Sequence, residues 1–277
     1  MKRNTIIMVL ILGVLLGLAG CKKKEPEAPS SMPEPSVVSS EPLPEMDDTT
    51  LYNGKTLAQY YRENEDTIGW LTIPGTRTDN VVMLGADKDY AYGVNHYLHY
   101  SFDGRNTTAG ELYIDYRSAI TAAGMNQNMV IYGHHMIDGT MLAGLDKYKS
   151  KSFFEDHQYI TFNTLWEKHH FRVFTVFTVN LKTEYGSSFD YRQPSYTGEA
   201  FASFVKELKD RQYYETGVEI DENSRIVTLS TCTYPPGNPK TDDARLVVMA
   251  RMCTEEEEAA LAQTETPDTA ASVGTPS

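Results

Sequence analysis

Residues 229–248 read LSTCTYPPGNPKTDDARLVV. Two apolar, strand-like runs flank a stretch rich in Pro, Gly, Asn and Asp, the residues that punctuate turns. If the runs pair antiparallel, the intervening loop brings Arg245, which opens the second run, back beside Cys232, which closes the first. A free thiol titrates near ~8.5 and is nucleophilic only as the thiolate, so a neighbouring cation matters. Arginine stays charged at any working pH and presents a planar fork of donors that can hold a carbonyl or a developing oxyanion. On spacing alone, a buried structural cysteine near a surface arginine is the competing reading.

The chain around this stretch continues the pattern. Short β-like runs are expected at 69–73, 80–84, 111–116, 128–133, 159–164, 171–179, 225–231 and 245–252, separated by Pro74-Gly75, Asp103-Gly104 and Gly124. Thr56 can cap a short helix bearing Leu57, Tyr60 and Tyr61. Two further helical segments are expected, at 140–148 and at 198–209, the second with Phe201, Phe204, Val205 and Leu208 on one stripe. Many short strands in one region of about two hundred residues point to a closed barrel or a sandwich.

A histidine would change the reading of Cys232. The segment VIYGHHMIDGTM (130–141) offers His134 and His135 after an apolar run and a glycine. Neighbours in extended chain point to opposite faces, so the two cannot easily share one metal ion. Metal-ligating pairs on helices lie at i, i+4. His169-His170 meets the same objection, so no metal and no cofactor is expected. One histidine directed inward at a strand end and one directed to solvent is the better picture.

The chain ends differ from the middle. Residues 22–50 and 254–277 are polar, acidic and without apolar period, and are expected to be a disordered linker and a disordered acidic tail around a domain at 51–253. These ends hold much of the formal net charge of -13, and nothing resembles a basic footprint for nucleic acid. Met1-Lys2-Arg3, an apolar run to Gly20 and then Cys21 read as an address segment over 1–21, short for a bilayer span. Leu18-Ala19-Gly20-Cys21 resembles a bacterial lipobox, in which the cysteine is lipidated; an uncleaved signal anchor is the alternative. Either tethers the domain to the outer face of the cell membrane. Cys253, at the domain edge, reads as incidental.

Tyr132-Gly133-His134-His135-Met136 with Asp138-Gly139-Thr140-Met141, then Thr228-Leu229-Ser230-Thr231-Cys232, then Asp243-Ala244-Arg245, resembles a class B sortase. Asp66-Thr67-Ile68-Gly69-Trp70-Leu71-Thr72-Ile73-Pro74-Gly75-Thr76 is similar to the entry of that fold. The resemblance spans 51–253, with the motifs in family order.

It implies a mainly β protein: a sortase-type closed eight-stranded β-barrel with an N-terminal helix and a helix in the connection before the nucleophile strand. It implies a tethered cysteine transpeptidase with Cys232 as nucleophile, His134 as acid and base, and Arg245 with a backbone N–H on the oxyanion. Ser230, Thr231, Thr233, Tyr234 and His135 are the implied substrate contacts. The partners are surface proteins carrying an NPxTx-like sorting signal, cut after Thr, and an amine of a peptidoglycan precursor or a pilin. The resemblance also makes the flanks of the helix at 198–209 a wall of the substrate groove.

Two departures stand out. The stretch between Cys232 and Arg245 is long for the class, with Pro-Pro-Gly-Asn-Pro-Lys at 235–240 as the extra residues, and a lipobox is uncommon in the family. Asn238-Pro239-Lys240-Thr241-Asp242 itself reads like a sorting signal and could occupy the groove as a pseudo-substrate; ordinary loop composition explains the same residues. The rival functions are a sortase-like hydrolase, a non-catalytic docking module and a metal-dependent surface enzyme.

Overall fold

The computed structural model describes residues 50–85, 93–121, 124–181, 189–233 and 243–265. Helix α1 (Leu57–Glu63) leads into β1 (Thr67–Thr72) and β2 (Asp79–Met83). After a 3-10 segment at Gly93–Leu98 come β3 (Leu112–Ile114), a small hairpin of β4 (Ile120–Thr121) and β5 (Gly124–Met125), and β6 (Asn128–Tyr132). A second 3-10 segment (Ala143–Lys149), α2 (Lys151–Asp156), β7 (Tyr159–Thr164) and β8 (His170–Asn180) follow. Helix α3 (Gly198–Arg211), β9 (Ile226–Cys232), β10 (Ala244–Met252) and α4 (Glu255–Glu265) complete the order.

Eight strands close into a barrel in the order β1-β2-β3-β6-β9-β10-β8-β7. The β2–β3 and β6–β9 pairs are parallel and the rest antiparallel. Alternation along each strand sends one set of side chains inward. Leu71, Val82, Ile114, Ile131, Leu229 and Val248 meet in the barrel core. The opposite face is covered in two places. Ile226, Val247 and Met249 pack under Phe201, Phe204 and Leu208 of α3. Trp70, Met83 and Tyr113 pack under Leu57 and Tyr60 of α1 and Tyr97 of the first 3-10 segment. Most of β9 and the 246–250 stretch of β10 are buried on both faces, which fits the continuous apolar run of the latter; the hydroxyls of Thr228, Ser230 and Thr231 in β9 are hydrogen-bonded.

Helix α1 begins where Thr56 was expected to cap it. Gln59 N donates to Thr56 Oγ1 at 3.3 Å and Thr56 N to Gln59 Oε1 at 2.8 Å, a capping box. The helix expected over 140–148 is instead a 3-10 segment starting at Ala143, followed by α2. Met141 holds a left-handed backbone at φ 54°, so no helix can run through it. Strand β3 is shorter than expected, because Asp115 turns its carboxylate back to the Arg117 amide at 2.9 Å.

The tail expected from 254 also differs, since α4 occupies its first part. Glu257 reaches Arg251 Nη1 at 2.6 Å and Arg172 Nη1 at 2.9 Å, and Glu258 reaches His170 Nδ1 at 2.7 Å. The acidic run reads as a solvated charge block until the barrel supplies its cations. Cys21, the address segment and the 22–50 linker lie outside the described residues, among which no helix is long and apolar enough to cross a membrane.

Candidate active site

The candidate site lies on a strip of the barrel's outer face where β9 ends and β10 begins. Arg245 lies directly opposite Cys232 in the β9–β10 ladder. Thr233 N donates to Ala244 O at 3.1 Å, which makes the next pair outward hydrogen-bonded. By the alternation of an antiparallel ladder, Cys232 and Arg245 then form a non-hydrogen-bonded pair, the kind with Cα atoms only about 4.5 Å apart. Directly opposed residues project to the same face. For these two it is the face of Val247 and Met249, outside the barrel core.

Strand β6 runs parallel to β9, with Tyr132 level with Ser230. His134 follows Tyr132 by two residues, as Cys232 follows Ser230, so both residues come just after the last level pair of adjacent strands. Gly133 is required at this bend: a Cβ there would lie 2.4 Å from Leu112 Cδ2 and 3.0 Å from Leu142 Cγ. His134 Nε2 is 2.8 Å from Leu98 O, at the end of the first 3-10 segment, which fixes the ring. Taken as a donor to that carbonyl, Nε2 leaves Nδ1 as the nitrogen for other work.

The two histidines diverge, as neighbours in extended chain should: His135 Nε2 sits 2.7 Å from Asp146 Oδ2. His169 and His170 also part, toward Glu167 and Glu258. Among the described residues no group of three or more His, Cys, Asp or Glu could hold a metal ion.

Tyrosines and ion pairs line the strip beyond Ser230. Tyr132 OH donates to Asp115 Oδ2 at 2.8 Å, and Arg117 grips Asp115 through Nε at 2.8 Å and Nη2 at 2.9 Å. Burial raises the Asp115 carboxyl, but the hydrogen bonds of Arg117 and Tyr132 outweigh it and hold it below its ordinary value. Burial and the Asp115 charge raise the phenols of Tyr113 and Tyr132, so both remain neutral donors. Tyr191 OH lies 3.0 Å from Ser230 Oγ. Asn128 Nδ2 donates to Tyr191 O and Gln193 O, each at 2.9 Å, which holds the wall on the α3 side.

The expected substrate contacts fare unevenly. Ser230 is 2 % exposed and bonded to Tyr191. Thr231 points into the barrel, where its hydroxyl donates to Gly133 O at 2.8 Å, so its side chain does not line the strip. The Thr233 hydroxyl accepts from Lys149 Nζ at 3.0 Å. Tyr234, the 235–240 stretch and the signal-like 238–242 lie outside the described residues. The sequence reading missed Asn128, Asp146, Lys149 and Tyr191, which come from remote segments. Asp243 was quoted with the arginine motif and given no role; its Oδ1 is 2.5 Å from Arg245 Nη2.

Cys253 is the other free thiol among the described residues. Burial, with the Glu257 and Glu258 charges, pushes its thiol up to about 12. Two clefts of about 260 and 240 Å³, near Trp166 and under α3, include neither Cys232 nor His134 nor Arg245.

Comparison with known proteins identifies relatives of the chain and of its fold. A family model described as the Sortase domain matches residues 71–253. Sortase B of Listeria monocytogenes is 29% identical over 214 residues, 74% of this chain and 78% of that protein. Sortase B of Staphylococcus aureus is 30% identical over 175 residues, 61% of this chain and 64% of that protein. Among solved structures, a Staphylococcus aureus sortase B–substrate complex superposes with a TM-score of 0.60 at 26% identity, covering 72% of this chain and 85% of that one. Clostridium perfringens sortase B gives 0.59 at 28% identity, covering 71% and 99%.

Proposed function

The chain belongs to the sortase family and is a class B cysteine transpeptidase, and from that premise we propose that Cys232, His134 and Arg245 carry its chemistry. The observation that carries the assignment is the register: Arg245 lies opposite Cys232 in one ladder, and on the next strand Tyr132, two residues before His134, is level with Ser230, two residues before Cys232.

The Cys232 thiolate attacks the Thr carbonyl carbon of an NPxTx-like sorting signal, and the carbonyl π pair moves onto oxygen. Arg245 donates to that oxyanion. The Thr233 N–H, the backbone donor nearest the nucleophile on its C-terminal side, is already engaged with Ala244 O, so the guanidinium is the main donor. Collapse of the intermediate breaks the C–N bond, and His134 gives its proton to the leaving amine. A thioester remains on Cys232. An amine of a peptidoglycan precursor or pilin then attacks it, His134 takes the proton, and the thiolate is regenerated as the new amide forms. Opposite protonation states of thiol and imidazole are needed together, so the active fraction belongs to the pair.

Action at the extracytoplasmic cell surface follows from the family. Tethering through Cys21 or an uncleaved anchor over 1–21 is part of the same proposal.

The test is intact-mass analysis with sorting peptides (NPQTN, NPKTD, LPETG, SPKTG), with and without triglycine, and with Cys232→Ala as control. An adduct equal to the peptide's N-terminal fragment on wild type only, passed on to triglycine, supports transpeptidation and identifies the signal. An adduct released only by water makes the protein a hydrolase. An adduct on Cys232→Ala sinks the assignment of the nucleophile.

A further inference from the structure

The residues flanking the candidate nucleophile and imidazole are joined twice. Those that precede them, Thr231 and Gly133, bond directly at 2.8 Å. Those that follow them, Thr233 and His135, are joined through the 3-10 segment Ala143–Lys149. His135 Nε2 lies 2.7 Å from Asp146 Oδ2, Asp146 Oδ1 lies 2.7 Å from Lys149 Nζ, and Lys149 Nζ donates to Thr233 Oγ1 at 3.0 Å. The Asp146–Lys149 contact is an ion pair by distance, with Oδ1 off the hydrogen-bond angle. Burial raises Asp146, but Lys149 and His135 outweigh it and hold the carboxyl below its ordinary value, so the link stays charged.

From this relay, and resting on the assignment of Cys232 and His134, we infer that Lys149 and Asp146 are positioning residues that fix the thiol-bearing end of β9 against the imidazole-bearing end of β6. Neither touches the reacting atoms. The ladder alone does not do this work: β9 ends at Cys232 and β6 at Tyr132. The relay continues the tie past the point where strand pairing stops. Its strength lies in geometry more than stability, because a lysine whose side chain is 38% exposed forms ion pairs worth little to folding. Near-attack chemistry is more demanding, since small misplacements of reacting groups cost orders of magnitude in rate.

The experiment measures kcat, KM and melting temperature of the full chain on the sorting peptides above with triglycine. The variants are Lys149→Met, Thr233→Val, their double, Thr233→Ser and Asp146→Asn, with Cys232→Ala and His134→Ala as controls. Lys149→Met and Thr233→Val each lower kcat about tenfold at unchanged KM. The double falls no further than the worse single, because both remove one link. Thr233→Ser retains the hydroxyl and keeps kcat, Asp146→Asn loses kcat, and melting moves by less than about 2 °C throughout. Unchanged kcat in Lys149→Met, additive losses in the double, or losses that track melting temperature would overturn the inference while the controls stay inactive. Controls that retain turnover, or a wild type silent on all four peptides, would overturn the underlying assignment and the inference with it.

Discussion

Arg245 and Asp243 form an ion pair of 2.5 Å through Nη2, while Arg245 Nη1 donates to Ala244 O at 3.2 Å. The guanidinium is thus anchored at the mouth of β10 and still projects beside Cys232. A fork can keep one arm on Asp243 while another reaches the substrate oxygen; a lysine carries all its donors on one nitrogen and has no separate arms for two distant acceptors.

Arg245→Ala is therefore expected to lower kcat/KM about 10²- to 10³-fold, the range seen when one oxyanion donor is removed. Arg245→Lys should recover little of it. Asp243→Asn, which frees the fork without removing it, should cost less than about tenfold. Peptide cleavage kinetics on the three variants check the order; Lys restoring activity would remove the argument from the fork.

The two domain thiols should separate in reactivity. Cys253 is pushed up to about 12 by burial and by the Glu257 and Glu258 charges, whereas Cys232 sits opposite an arginine. Brief iodoacetamide treatment near neutral pH should modify Cys232 and spare Cys253, read by peptide mapping. Cys253→Ser should keep full turnover. Preferential labelling of Cys253 would contradict the electrostatic account.

How much of this was legible in the sequence depended on whether the signal was local. The β9–β10 pair was readable because apolar runs flank a turn-rich stretch, and register then follows from where each run ends. His134 was readable because it follows a strand and a glycine. The relay was not, because Asp146, Lys149 and Thr233 come from two segments that only the closed barrel brings together. Asn128 was hidden likewise, as an ordinary polar residue at a strand start whose partners lie at Tyr191 and Gln193. Thr231 was misjudged by proximity to Cys232, since period-two alternation turns it inward. Helix α4 was missed because its acidic run finds its cations, Arg172, Arg251 and His170, only where the folded barrel presents them.

Asn128 supports a prediction about the groove wall. Its side chain is fully buried, donates to two carbonyls of the 191–193 stretch and accepts from Thr228 Oγ1 at 2.6 Å. Asn128→Ala would leave those groups without partners, at a cost of about 2–4 kcal/mol. The wall carries Tyr191, so KM should rise more than kcat falls. Denaturant melts combined with steady-state kinetics test this, and a variant as stable as wild type would refute the cost.

Glu111 ties stability to pH. It is 8% exposed; Oε2 accepts from Phe102 N at 3.4 Å, and Oε1 has no partner. Burial pushes its carboxyl up to about 7, reinforced by the Asp103 charge, against the pull of the Phe102 and Leu112 amides. Because the folded value exceeds the unfolded one, the neutral acid's contribution is fully present below about 4.5 and declines as pH rises, and it is gone above about 7. Glu111→Gln keeps a neutral side chain of the same shape. It should melt a few degrees above wild type at about pH 8, and the gap should narrow toward about pH 5. Glu111 also pairs its amide with Tyr97 O at 2.7 Å, in the segment whose Leu98 carbonyl fixes His134. Tightening that segment at alkaline pH should therefore extend the alkaline limb of the kcat profile in the variant. Parallel melting curves for the two proteins across this range would show that burial of Glu111 does not control the segment.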